Sequence, residues 1–389
     1  MYIFDENIER EDRYSDYSES HYSYLNISKR PEFCEIRDKM EIWINQYPKE
    51  ERDELISRLK TNNNHHFISS FFELLLYQLF VSLNYKVVIH PKLNNTKNRP
   101  DFLINDSCGN EFYLEAVVSS GLSEKDVAQK SILNDIFNSI NKLYTKDFFI
   151  KAEIEKYPTK SIPAKKIRTF LENQLKLLDP DSCEKLFNLG AYDLIPEWKF
   201  NFDGFEMKFR PIPKSKEFRS KKTEKPIGIT HYGFHWRGEN KHILKSLKTK
   251  ANKYKALRKP YVIAINSLDD IFRREDIIET LFGSEAIYTH TESDNYSTIR
   301  VANGLFYSKS GPRYTRVSGV LFINNLLPWT VGINNFQLFV NPWSENKITN
   351  FLNDFPKSIV ENDRLKDIPG KKLHELMNLP DKWPHNVAC

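Results

Sequence analysis

The pattern of hydrophobic and polar positions predicts a helical N-terminal region followed by an α/β core. Residues 31–60 are predicted to form two helices, broken at Tyr47-Pro48. Asn62-Asn63-Asn64 precede a run at about 65–84 that has no polar face. Such a run predicts a buried helix, and asparagine is a preferred residue at the start of a helix. Residues 1–28 are acidic and rich in tyrosine, and we expect them to be extended or poorly ordered.

Short apolar or alternating segments then predict the strands of a central sheet. They lie at 86–90, 101–105, 111–118, 260–266, 317–324 and 337–340. Residues 106–110 have the composition of a tight turn, so the second and third strands are predicted to form a hairpin. A helix at 240–257 leads into the run at 260–266, whose continuous apolar character is typical of a buried strand. The fold class that follows is α/β, a mixed sheet flanked by helices.

Residues 121–240 are predicted to be a large insertion into this core. Their first half is helical in pattern, at about 123–143 and 163–178, and their second half alternates as strands and contains a basic loop at 213–226. The predicted segments are an acidic, tyrosine-rich N-terminal segment with helices (1–60), an α/β core with C-terminal strands (61–120 and 241–345), the insertion (121–240) and a helical tail (346–389).

Charge and cysteine content narrow the class of protein. The first 60 residues contain 10 Lys and Arg and 15 Asp and Glu, whereas the whole chain contains 57 Lys and Arg and 52 Asp and Glu. Residues 61–389 therefore contain 47 basic and 37 acidic residues. The positive net charge of residues 61–389 suits a polyanionic partner. The four cysteines lie far apart with no CxxC pair, which argues against a zinc knuckle or a disulfide framework. No signal-peptide pattern or membrane-length apolar run is present, so we expect a cytoplasmic protein without a membrane partner.

Three carboxylates between residues 65 and 118 carry the candidate chemistry. Glu73 is the only acidic or basic residue in the middle of the apolar helix, so it needs a cation, a hydrogen-bond donor or a raised pKa. If the hairpin turn centres on Cys108, Asp101 and Glu115 lie opposite each other and project to the same side. Adjacent carboxylates repel unless a proton or a metal ion lies between them, and hard divalent cations favour oxygen ligands. The pair is therefore a candidate site for Mg²⁺ or Mn²⁺.

This arrangement resembles the core of the PD-(D/E)xK nuclease superfamily, with Pro100-Asp101 on one strand, Glu115 on the next and Glu73 on the preceding helix. The resemblance covers residues 65–118, and 245–266 match the closing helix and strand. It implies a restriction-endonuclease-like fold and Mg²⁺- or Mn²⁺-dependent cleavage of phosphodiester bonds, usually those of DNA. It also implies that Asp101 and Glu115 bind the metal, and that Glu73 holds a metal-bound water or orients the family's lysine.

The chain departs from the family pattern at Val117, where a lysine normally stands two residues after the glutamate. Helix 240–257 offers several lysines, and of these Lys250 shares a helix face with Tyr254, four residues on. Several members of the superfamily present Gln and Tyr to the site at this spacing, and lysine would replace the glutamine here. We predict that Lys250 supplies the missing catalytic cation, that Tyr254 contacts substrate, and that Lys253 contributes little.

The basic loop adds Lys221 and Lys222 as predicted phosphate contacts. Together these features predict a metal-dependent endo- or exonuclease, an activity that would suit restriction or phage defence. Two alternatives stay open. One is a catalytically inactive nuclease-fold module that binds nucleic acid or a protein, which Val117 favours. The other is an interaction factor that forms a homodimer or binds a protein through the acidic N-terminal segment.

Overall fold

The computed structural model describes residues 1–94, 96–121, 124–219, 225–230, 241–254, 257–269, 273–289, 296–348, 352–362 and 364–384. The helices in these ranges are α1 (His21–Ile27), α2 (Pro31–Gln46), α3 (Lys49–Leu59), α4 (Asn64–Ser82), α5 (Glu124–Asn141), α6 (Ala164–Leu175), α7 (Pro180–Asn188), α8 (Lys241–Ala251), α9 (Arg274–Phe282) and α10 (Leu373–Leu376). The strands are β1 (Lys86–Ile89), β2 (Phe102–Asn105), β3 (Glu111–Ser119), β4 (Phe148–Lys156), β5 (Trp198–Phe202), β6 (Phe205–Pro213), β7 (Ile227–Thr230), β8 (Tyr261–Ser267), β9 (Glu285–Thr289), β10 (Tyr296–Arg300), β11 (Tyr307–Ser308), β12 (Gly311–Pro312), β13 (Gly319–Asn324), β14 (Phe336–Val340), β15 (Lys357–Glu361) and β16 (Arg364–Ile368).

An eight-stranded mixed sheet forms the centre of the fold, in the order β1-β2-β3-β8-β13-β14-β15-β16. Strands β1, β2 and β3 are antiparallel neighbours, whereas β8 runs parallel to both β3 and β13. All seven residues of β8 are buried, as its continuous apolar sequence predicts for a strand covered on both faces. The predicted α/β class, with a mixed sheet flanked by helices, is confirmed.

The two faces of β3 contact different helices. Phe112 and Leu114 belong to one hydrophobic core together with the apolar side chains of α4. Tyr113 and Val117 instead pack against the core that contains the apolar side chains of α8. Because side chains alternate along a strand, the odd-numbered residues of β3 face α8 and the even-numbered residues face α4. This alternation decides which helix can reach Glu115.

The N-terminal helices follow the sequence closely. Helices α2 and α3 are separated at Tyr47-Pro48, and Asn63 begins α4 by accepting a hydrogen bond from the backbone N–H of His66 at 3.0 Å. The expectation that residues 1–28 are extended or poorly ordered is wrong in part. They include α1, and Ile3 and Phe4 are buried in the core that α4 forms. Burial of these apolar side chains orders the segment. The average composition of residues 1–28 does not show this, because the few apolar residues are surrounded by charged ones.

The chain divides into two compact units. The first consists of Met1–Glu11, Ser20–Gly121 and Glu239–Cys389 and contains the eight-stranded sheet, while the second consists of Asp12–Glu19 and Leu122–Gly238. The second unit has its own four-stranded sheet in the order β5-β6-β4-β7, with a core that includes Phe205 and Phe209. The predicted helices at about 123–143 and 163–178 are α5 and α6, whereas β4 and α7 were not predicted.

The helical tail predicted for residues 346–389 is wrong. In the described part of this segment, β15 and β16 extend the large sheet and only the four-residue α10 is helical. Strand β15 pairs in parallel with β14, and the nearby Phe355 is buried in the main core. Short segments of mixed polarity are ambiguous in sequence, and pairing with an available strand edge decides their structure. No helix in the described ranges combines the length and apolar character needed to cross a membrane.

Candidate active site

Asp101 and Glu115 come from neighbouring strands and lie opposite each other. The register pairs Phe102 with Leu114, so Asp101, directly before β2, faces Glu115 one position further along. This is the pairing that a turn centred on Cys108 predicts. The Oδ2 atom of Asp101 accepts a hydrogen bond from the backbone N–H of Ala116 at 2.7 Å. The hairpin therefore brings both carboxylates to the face of the sheet that α8 covers.

The turn between β2 and β3 fixes this register. Asp106 accepts hydrogen bonds through Oδ1 from the backbone N–H groups of Cys108, at 2.9 Å, and Asn110, at 2.8 Å. Gly109 has a φ of 82°, a left-handed conformation that glycine adopts at little cost. A shift of one residue in this turn would move Glu115 to the opposite face of the sheet. The turn sequence is therefore a condition for the carboxylate pair.

Glu115 is completely buried, and three side chains donate hydrogen bonds to it. Lys250 Nζ lies 2.7 Å and Lys253 Nζ 2.5 Å from Oε1. The Tyr254 hydroxyl lies 2.6 Å from Oε2 and 2.8 Å from the backbone oxygen of Arg99. An isolated buried carboxylate costs several kcal/mol, and cations with hydrogen bonds offset that cost. Two ammonium groups and a hydroxyl therefore compensate the buried charge of Glu115.

These three donors come from the end of α8 and the turn that follows. The predicted helix continued to residue 257, but α8 ends at Ala251, and the backbone N–H of Lys253 donates to the oxygen of Lys250 in a turn. Lys253 therefore lies beyond the end of the helix, and its side chain reaches the same Glu115 oxygen as that of Lys250. The expectation that set Lys253 apart from Lys250 does not fit this geometry, because it assumed a continuous helix.

The electrostatics of the cluster centre on the two carboxylates. Burial and the negative charge of Glu115 raise the pKa of Asp101 from its ordinary value of 3.8 to about 6, against the opposing effect of Lys250 and Lys253. Burial, and then the charge and hydrogen bond of Glu115, raise the pKa of Tyr254 well above its ordinary value. Tyr254 therefore stays protonated and donates. Asp101 is the member of the cluster whose charged form is disfavoured and would gain from an added cation.

Glu73 does not join this cluster. Its carboxylate accepts hydrogen bonds from Arg58, at 2.7 and 2.9 Å, and from the Tyr47 hydroxyl, at 2.9 Å. The sequence required a cation or a donor for Glu73, and the structure supplies both. The role predicted from the resemblance, beside the lysine, does not match this placement. The physical reason is that α4 covers the even-numbered face of β3, whereas Glu115 projects from the odd-numbered face.

Asp101 and Glu115 differ in how many of their oxygens could accept a metal ion. Oδ1 of Asp101 receives no hydrogen bond from the described residues, so its lone pairs are not committed to a protein donor there. Both oxygens of Glu115 already accept hydrogen bonds, so a metal bound there would displace at least one donor. Within the described ranges, no three His, Cys, Asp or Glu side chains are grouped to hold a metal. An ion such as Mg²⁺ at this pair would therefore have to take most of its ligands from water and phosphate.

Two basic residues in the described part of the loop at 213–226 have partners within the chain. Lys221 and Lys222 lie outside the described residues. Of the flanking basic residues, Lys214 is buried and donates to the backbone oxygen of Thr145 at 2.6 Å. Arg219 donates to Asp181 at 2.7 Å and to Glu184 at 2.5 Å. The described part of the loop therefore directs these two cations to internal partners, and the predicted phosphate contact of Lys221 and Lys222 stays a prediction.

Two further residues support the turn after α8. The Tyr261 hydroxyl donates to the backbone oxygen of Lys250 at 3.1 Å, and Arg316 Nη1 donates to the backbone oxygen of Tyr254 at 2.6 Å. The sequence prediction missed both, because neither belongs to a motif and Arg316 is distant along the chain.

Comparisons with protein-family models, with curated proteins and with solved structures found no match for this chain.

Proposed function

We propose that this chain is a metal-dependent nuclease with a restriction-endonuclease-like fold, and that it cleaves phosphodiester bonds in DNA. The observation that carries the proposal is the Lys250 ammonium 2.7 Å from Glu115, with Asp101 opposite on the adjacent strand. An acidic pair and a lysine are the groups that the PD-(D/E)xK resemblance implies. In this chain the end of helix α8 would supply the cation that Val117 lacks.

Mg²⁺ or Mn²⁺ held by Asp101 and Glu115 would lower the pKa of a bound water and neutralise charge on the phosphate. The lysine side chains are 22% and 31% exposed, for Lys250 and Lys253 respectively, whereas Glu115 is not exposed at all. Substrate would therefore approach from the lysine side. The flexible lysine stems let the ammonium groups exchange Glu115 for phosphate oxygens. Tyr254, fixed by its contact with Arg99, would keep Glu115 oriented.

The test is cleavage of labelled single- and double-stranded DNA and RNA in Mg²⁺ or Mn²⁺. Wild type should cleave DNA, and Lys250→Ala should lower the rate by on the order of 10²–10³, the usual cost of removing a preorganised charge-stabilising group. Lys366→Ala is the matched control, because Lys366 is exposed on β16 and pairs with Glu361. The control should cleave like wild type. A Lys250→Ala variant that cleaves at the wild-type rate would contradict the role of Lys250.

A catalytically inactive module is the second candidate, and one observation favours it. Both oxygens of Glu115 are already satisfied by Lys250, Lys253 and Tyr254, so the cluster can serve as a buried ion-pair network without a metal. In that case the chain would bind nucleic acid or a protein without cleaving. Metal-dependent stabilisation distinguishes the candidates, since a metal site raises stability by mass action and a self-contained network does not.

A further inference from the structure

A polar pocket of about 500 Å³ opens beside the turn that carries Lys253. Within the first unit, its lining includes one residue of that turn, four consecutive residues before β13 and one residue after β14. The residues used in the argument are Asn252, Arg313, Tyr314, Thr315, Arg316 and Glu345. The lining also includes the apolar Leu257, but most of its residues carry amide, hydroxyl, guanidinium or carboxylate groups. The pocket is therefore suited to a polar, anionic ligand rather than an apolar one.

The charges in the pocket favour an anion. It contains two arginines and one carboxylate, and the carboxylate of Glu345 accepts a hydrogen bond from the Thr315 hydroxyl at 2.5 Å. Arg313 is exposed, and its guanidinium carbon lies 5.2 Å from the centre of the Tyr314 ring. A cation held over an aromatic ring is attracted by the negative face of the ring, and the guanidinium keeps its N–H donors for other partners. This fork of N–H groups matches the oxygens of a phosphate.

Backbone strain also occurs at this pocket. Tyr314 has a φ of 51°, in the left-handed region that a bulky side chain rarely adopts. Such conformations cost on the order of 1–3 kcal/mol and concentrate at binding and catalytic sites. The strained residue is the one whose ring lies beneath the Arg313 guanidinium. The conformation therefore positions the arginine at the pocket.

The pocket shares a structural element with the carboxylate cluster. Asn252 lines the pocket and directly precedes Lys253, whose ammonium contacts Glu115. Arg316 lines the pocket and donates to the backbone oxygen of Tyr254, whose hydroxyl contacts Glu115. A single turn thus connects the two sites. A ligand with phosphates in series could contact the lysines with one phosphate and Arg313 with another.

We propose that this pocket is a phosphate subsite for a nucleic-acid strand, in which Arg313 binds a backbone phosphate next to the one that is cleaved. The inference rests on the proposed function and deepens it, because it assigns the substrate as a strand with several phosphates rather than a mononucleotide. Arg316 adds positive charge while holding the turn. Arg313 is the specific contact, because it is exposed and its guanidinium lies over the Tyr314 ring.

The experiment measures binding of a labelled oligonucleotide, single-stranded and duplex, in EDTA so that no cleavage occurs. The logarithm of the affinity falls linearly with the logarithm of the salt concentration. Each phosphate contact adds about 0.9 to the magnitude of this slope for duplex DNA and about 0.7 for single strands. Arg313→Gln should lower the slope by this amount. Between about 50 and about 200 mM salt, its affinity should fall about threefold less than that of wild type. Arg313→Lys should retain the slope, and Arg364→Gln, an exposed arginine on β16, is the matched control.

The outcomes separate this inference from the proposed function. Equal slopes for wild type, Arg313→Gln and Arg364→Gln would overturn the subsite, and DNA cleavage by the same wild-type sample would still support the nuclease. A slope that depends on Arg313, in a protein that cleaves nothing, would support the subsite and overturn catalysis. Inorganic phosphate binding that depends on Arg313, without any effect on oligonucleotide binding, would overturn the assignment to a strand.

Discussion

Replacement of Asp101 by asparagine should stabilise the protein when no metal is present. Asp101 is held against Glu115 in a partly buried position, and the two negative charges repel. Asparagine removes one charge and keeps a side-chain oxygen to accept the hydrogen bond from Ala116. The substitution therefore resembles protonation of Asp101. A substitution at a candidate catalytic residue that increases stability would indicate strain stored for function.

The magnitude follows from the pKa. A tenfold change in an acid dissociation constant corresponds to about 1.4 kcal/mol. The rise in the pKa of Asp101 from 3.8 to about 6 therefore corresponds to about 3 kcal/mol when Asp101 is fully ionised. Because the folded state holds the proton more tightly than the unfolded state, the free energy of unfolding of wild type should fall as the pH rises from about 4 to about 6. The advantage of Asp101→Asn should be absent near pH 4 and complete by about pH 8.

Urea unfolding of wild type and Asp101→Asn, measured in EDTA at several pH values between 4 and 8, would test this expectation. Asp106→Asn is a control of opposite sign from the same hairpin. Although burial acts to raise it, hydrogen bonds from Asn110, Cys108 and Gly109 hold the pKa of Asp106 below its ordinary value, so its loss should destabilise at pH 8. Mn²⁺ should then stabilise wild type but not Asp101→Asn. Equal stabilities of wild type and Asp101→Asn at every pH would refute the proposed repulsion.

Other substitutions test the remaining contacts. Lys250→Met and Lys253→Met should each lower the free energy of unfolding by about 1 kcal/mol or less, because the other ammonium still contacts Glu115. The double variant should lower it by on the order of 3 kcal/mol. Additive losses in urea unfolding would contradict a shared partner. Glu73→Gln should destabilise by about 2–3 kcal/mol because it leaves Arg58 and Tyr47 without their carboxylate. The cleavage rate per folded molecule of Glu73→Gln should equal that of wild type, and a large loss of rate would restore Glu73 to the active site.

The sequence predicted the elements that local patterning controls. The break at Tyr47-Pro48, the cap at Asn63, the hairpin and the opposition of Asp101 and Glu115 all depend on neighbouring residues. The buried strand β8 follows from a continuous apolar run. In each case the physical cause lies within about fifteen residues along the chain, where turn chemistry and periodicity act directly.

Features that depend on tertiary packing were not predictable. The end of α8 at Ala251, which brings Lys253 to Glu115, has no glycine or proline signal at that position. The face of β3 that α4 covers decides the partners of Glu73, and the periodicity of an all-apolar helix does not specify a face. The strands β15 and β16 form because a sheet edge is available. Arg58 and Arg316 contact partners that only the tertiary structure brings close.

The most direct test of the proposed nuclease is single-turnover cleavage of labelled DNA in Mn²⁺ by wild type and by Asp101→Asn, at protein concentrations that saturate the substrate. The account predicts that wild type cleaves, that EDTA abolishes the reaction, and that Asp101→Asn is slower by on the order of 10²–10³ while binding DNA as tightly. Absence of cleavage by wild type on single- and double-stranded DNA and RNA, or equal rates for the two proteins, would contradict it.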